Sequence, residues 1–178
     1  MRNKLIVVLL AFLGVAISGC EKDDICAATT PTTPRLIIEF YNNADPSQLK
    51  NVTNLELISD LPEIDTIRVT AVSRLEVPLR TVADVTTYRF VLNAASENPA
   101  FIYTDELVFN YMRQDVFVSR ACGYKTLFEL NNDDLPETPD AIVMNGVPND
   151  FSGTWIKDIV IEEYNVENET DVHVKIYF

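Results

Sequence analysis

The sequence predicts an all-β fold, a single antiparallel β-sandwich, on three observations. From Arg35 onward apolar residues recur with a period of two. Turn-forming residues separate these runs at fairly regular spacing. No run carries the stripe of a helix. Immunoglobulin-like or transthyretin-like topology fits best, and a small closed β-barrel is the alternative. The runs lack the aromatic-girdled lipid face of a membrane barrel.

The elements follow in order. Leu36, Ile38 and Phe40 share one face of a first strand, with Glu39 and Tyr41 opposite. Residues 42–47 are turn material. A second strand is expected near 52–58. Residues 66–72 alternate, with Ile67, Val69 and Ala71 inward. Residues 76–80 contain Pro78, which donates no ladder hydrogen bond and therefore belongs at an edge. Residues 85–92 place Tyr88, Phe90 and Leu92 on one face, and 93–99 form a loop. Leu107, Phe109 and Tyr111 line the next strand. Residues 116–122 are read as its hairpin partner, and 127–130 as a short strand. Residues 131–140 form an acidic, proline-marked loop. Asn145-Gly146 is a tight-turn dipeptide. Residues 155–166 and 172–178 are two β-rich runs joined by a polar turn. Trp155 is expected to plug the core.

Before this domain lies a different kind of sequence. Arg2 and Lys4 precede thirteen uncharged residues, 5–17, of which all but Gly14 are apolar. A span of the hydrocarbon core needs about 20 residues, whereas this length suits a secretory signal. The run ends in Ile17-Ser18-Gly19-Cys20, which resembles the cleavage and lipidation box of bacterial lipoproteins. The resemblance implies cleavage before Cys20, with acyl chains on its thiol and new amine. Residues 1–19 would then be a removed signal peptide, 20–34 a lipidated tether and 35–178 the domain. An ordinary signal peptide or a short anchor helix is the alternative. Glu21-Lys22-Asp23-Asp24 resembles the export signal that sends Bacteroidota lipoproteins to the outer face of the outer membrane. Its plain reading is a hydrophilic spacer. The tether is rich in Thr and Pro and so is expected to be extended.

Without residues 1–19 the chain carries 12 basic and 27 acidic residues, a net charge near −15. Phosphate recognition needs clustered Lys and Arg, so nucleic acid is excluded as a partner, as is docking on anionic lipid by a basic patch. Three cysteines are present. With Cys20 spent on lipid, Cys26 and Cys122 remain, and an oxidising compartment favours one bridge between them. Two buried free thiols are the alternative. A bridge would shorten the free tether to five residues, a reach of about 15–20 Å.

No residue set predicts catalysis, a metal site or a cofactor. His173 is the lone histidine and falls opposite the apolar face of its strand, so it reads as exposed. Ser152 lies in Phe-Ser-Gly-Thr, which is not a nucleophile elbow. Asp133, Asp134, Glu137 and Asp140 share a loop without calcium-loop spacing. Glu162 and Glu163 alternate and so do not pair. Asp65-Thr66-Ile67 resembles the O-glycosylation sequon of Bacteroidota envelope proteins, which makes Thr66 a candidate acceptor; its plain reading is a strand residue.

Three further segments complete the pattern: Pro34-Arg35-Leu36-Ile37-Ile38-Glu39-Phe40 after Cys26 and its Thr/Pro stretch, Phe117-Val118-Ser119-Arg120-Ala121-Cys122-Gly123-Tyr124-Lys125, and His173-Val174-Lys175-Ile176-Tyr177-Phe178. Together with the lipidation box, the chain resembles a family of small flavobacterial-type Bacteroidota lipoproteins with a β-rich domain of no assigned function. The resemblance implies an outer-membrane lipid anchor, facing periplasm or cell surface, and supplies no activity. The expected role is a non-catalytic binding or accessory module, with an outer-membrane protein or a glycan as partner. A carboxylate-based glycan-active enzyme and a purely structural lipoprotein are the alternatives.

Overall fold

The structure is a computed structural model, and it describes residues 25–60, 65–132, 138–148 and 150–178. The signal peptide, Cys20, the Glu21–Asp24 run and most of the acidic loop at 133–137 lie outside the described residues. The described residues fall into two compact units. One contains residues 25–31 and Phe117–Tyr124; the other contains Thr32–Val116 and Lys125–Phe178.

The larger unit is all-β, as its period-two runs require, and its curled sheets form a sandwich or half-barrel. One sheet runs β11 (Asp158–Ile161), β13 (Val174–Tyr177), β1 (Leu36–Asn42) and β2 (Asp45–Leu49), with β5 (Arg74–Val77) also on β1. The β1–β13 pair is parallel, Ile38 facing Val174, among otherwise antiparallel pairings. The second sheet runs β10 (Val147–Pro148), β9 (Ile142–Met144), β7 (Tyr103–Ser119), β6 (Val85–Leu92), β3 (Leu55–Ser59) and β4 (Ile67–Val69). There β8 (Gly123–Leu130) pairs with β7 and with β12 (Asn165–Val166). Leu36, Ile38, Phe40 and Ile176 from the first sheet join Leu57, Phe90, Leu107 and Phe109 from the second in one core. Each buried aliphatic or aromatic side chain contributes about 1.5–3 kcal/mol, and this shared core holds the sheets together.

Several expectations hold in detail. β6 has the predicted bounds, with Tyr88 and Phe90 buried. β5 keeps the expected edge position, pairing only with β1 among the described residues, but it covers Arg74–Val77 rather than 76–80 and ends before Pro78. Asn145 and Gly146, at φ 52° and 75°, join β9 to β10. Positive φ at both central residues is the geometry that matches strand twist in a two-residue hairpin. Trp155 is buried, donates from Nε1 to the Phe90 carbonyl at 3.1 Å and meets the Phe178 ring edge-on at 5.3 Å.

Other expectations are corrected. Residues 45–49 form β2 rather than turn, although the strand is nearly all exposed and contains Pro46. Ala71 is exposed at φ 56°, outside the strand. β7 is one strand of seventeen residues, and its hairpin partner is β8, not residues 116–122. The polar run Arg113-Gln114-Asp115 looks like a turn in sequence, yet it is the exposed part of a continuing strand. His173 is fully buried rather than exposed.

Candidate functional site

Cys26 and Cys122 form a disulfide, with Cα atoms 4.9 Å apart across 96 residues of sequence. The bridge ties residues 25–31 to the turn between β7 and β8, all within the smaller unit. Gly123, at φ 71°, lets the chain reverse there. Ser119 Oγ accepts from the Cys122 N–H at 3.1 Å and fixes the approach of that turn. Phe117 and Tyr124 stand on the two arms of the turn, ring centroids 5.3 Å apart and edge to face, and both are exposed. Ile25 is 84% exposed. An open groove of about 520 Å³ lies among Ile25, Ala27, Arg120 and Cys122.

In the larger unit, Asp105 is a fully buried carboxylate. Its Oδ1 accepts from Asn145 Nδ2 at 2.9 Å and from the Thr154 N–H at 2.6 Å; its Oδ2 accepts from the N–H groups of Trp155 and Ile156 at 2.9 and 3.0 Å. Burial works to raise its pKa, but these four hydrogen bonds outweigh it and hold the carboxyl below the usual range. Gly153 is required beside it: a Cβ there would sit 2.6–2.7 Å from the Asp105 carboxylate atoms. The arrangement clasps residues 153–156 onto β7 and seats Trp155. Sequence reasoning missed it, though one signal exists: Asp105 is in phase with Leu107 and Phe109, and an acid on an inward face needs donors.

His173 Nδ1 accepts from the Ile37 N–H at 2.9 Å, while the Ile37 carbonyl accepts from the His173 N–H at 3.0 Å. The side chain thus extends the parallel β1–β13 pairing by one bond. An accepting Nδ1 fixes the neutral ring with its proton on Nε2, which has no partner among the described residues. Burial lowers the His173 pKa, against the pull of Asp171 and Glu163 and with the help of Arg74.

The remaining candidates are not brought together. Thr66 is half-buried, one residue before β4. Ser152 donates to Asp150 in a local turn. Glu162 pairs with Lys175 at 3.0 Å, whereas Glu163 accepts from Asn165. No group of three metal-binding side chains occurs among the described residues. An open groove of about 240 Å³ lies beside β7 beyond Tyr111, between Met112, Gln114, Leu127 and Glu129. No helix among the described residues is long and apolar enough to cross a membrane.

Residues 57–178 match the model of a family of unknown function (DUF6452). No curated protein and no solved structure matches the chain.

Proposed function

For a chain that belongs to the DUF6452 family of unknown function, we propose a lipid-anchored, non-catalytic binding or accessory module of the bacterial cell envelope. The observation that carries this reading is the pairing of the cysteines. The Cys26–Cys122 bridge accounts for two of three, and it belongs to an oxidising compartment. Cys20 is the one left over, directly after an apolar run of signal length. Acylation of Cys20 then holds the domain at the outer membrane, since two or more acyl chains anchor stably where one does not.

The buried ionisable groups support the non-catalytic part. Asp105 spends both oxygens on four donors, and His173 spends its basic nitrogen on a backbone N–H. A general base needs a free lone pair aimed at substrate. The groove beside Met112 and Gln114 offers a partner such as an outer-membrane protein or a glycan a mixed polar and apolar surface.

Metabolic labelling with palmitate tests the anchor. The wild-type chain should take up label and the Cys20→Ala chain should not; equal labelling of the two sinks the proposal.

A further inference from the structure

We propose that the turn between β7 and β8 is a membrane-contact foot, in which Phe117, Tyr124 and Ile25 enter the headgroup–acyl boundary of the bilayer holding the chain. The inference rests on the lipid-anchor reading and adds an orientation to it.

Length of chain is the first argument. Five residues separate Cys20 from Cys26, so an extended linker holds Cys26 within about 20 Å of the acylated residue. Cys122 is fixed to Cys26, with Cα atoms 4.9 Å apart. Covalent bonds alone therefore keep the turn within about 25 Å of the acylated residue, whatever the remainder of the chain does.

Chemistry is the second. Phe117 is 56% exposed, Tyr124 70% and Ile25 84%, all within one small unit. Scattered apolar residues on a surface need no explanation, but an exposed pair of rings 5.3 Å apart beside an anchor does. Aromatic rings favour the membrane–water interface, and a tyrosine there keeps its hydroxyl in the wet layer.

Charge is the third. The chain is strongly acidic, yet no carboxylate occurs between Asp115 and Glu129, where Arg120 and Lys125 stand. Arg120 is the one charged side chain among the described residues of this unit. Its stem is long enough to lie on apolar surface while the guanidinium meets lipid phosphate. The acids of the Glu21–Asp24 run lie in the linker, so apolar insertion, not net charge, supplies the contact.

The test uses the full chain, purified from membranes and reconstituted in phosphatidylcholine vesicles with brominated acyl chains. Tyr124→Trp places a reporter on the turn, while buried Trp155 supplies an internal background. The fluorescence added by the Tyr124→Trp substitution should fall at least twofold against unbrominated vesicles, with the Trp155 signal unchanged. Palmitate uptake is read on the same preparation. A labelled chain whose reporter is not quenched overturns the foot and leaves the anchor standing. A chain without label overturns the anchor, and the Cys20→Ala, Tyr124→Trp double variant mixed with the same vesicles then decides the foot alone: quenching supports it, and none overturns it.

Discussion

The two halves of β7 share one backbone and live in different surroundings. Over its first nine residues, Asp105, Leu107, Phe109 and Tyr111 point inward and are buried, and β6 pairs along Tyr103 to Asn110. Beyond Tyr111 the side chains are exposed or half-buried, and β8 is the partner strand. Only residues among the first nine of β7 belong to or pack against the shared core among the described residues. The inner half has its side chains chosen by packing and hydrogen bonding. The outer half is released from that constraint, and Met112 and Phe117 stand exposed there.

The strongest way to break the inner half is to remove its buried acceptor. Asp105→Ala leaves four donors, three of them backbone N–H groups, facing a gap. Unsatisfied buried groups cost about 1–3 kcal/mol each and relaxation recovers part of that, so a loss of about 3–5 kcal/mol is expected. Urea unfolding measures it, and a loss below about 1 kcal/mol would show that residues 153–156 hold their place without the carboxylate.

Acid separates the buried groups in a second way. His173 has its pKa lowered from 6.5, so the folded state prefers the neutral ring. Its contribution is full above pH 6.5 and is lost as pH falls toward the folded value. Asp105, lowered from 3.8, contributes above that value and is lost as pH falls through its folded pKa. Stability measured against pH should therefore decline in two steps, the second shared by Asp105 with Glu163 and Glu169, whose pKa values are also lowered. His173→Asn, which keeps an acceptor for the Ile37 N–H and does not titrate, should erase the first step and leave the second. A first step that persists in that variant would assign it to another group.

The smallest effect belongs to the outer half. Phe117→Ala removes an exposed ring and should change unfolding free energy by no more than about 0.5 kcal/mol. A loss above 2 kcal/mol would place Phe117 among the core residues and end the contrast between the halves.

Part of this fold is legible in local chemistry alone. Alternating side chains defined β6, because one of its faces is buried and the pleat has a period of two, and they placed Leu36, Ile38 and Phe40 of β1 in the core. Asn145-Gly146 defined its turn, because positive φ is inexpensive for those residues. Cysteine number pointed to the one pair, Cys26 and Cys122, that is bridged once Cys20 is set aside. Long-range packing set the rest. β2 forms although it is nearly all exposed and lacks an apolar face, because pairing to β1 satisfies backbone groups where its side chains bury little. Ile37 and His173 are buried out of phase with their neighbours because this stretch of the sheet is covered on both faces, which alternation reports only for one. Asp105 is held by Asn145 and residues 154–156, some 40–51 positions away. Contacts at that separation are set by how strands stack, and no local pattern of residues encodes them.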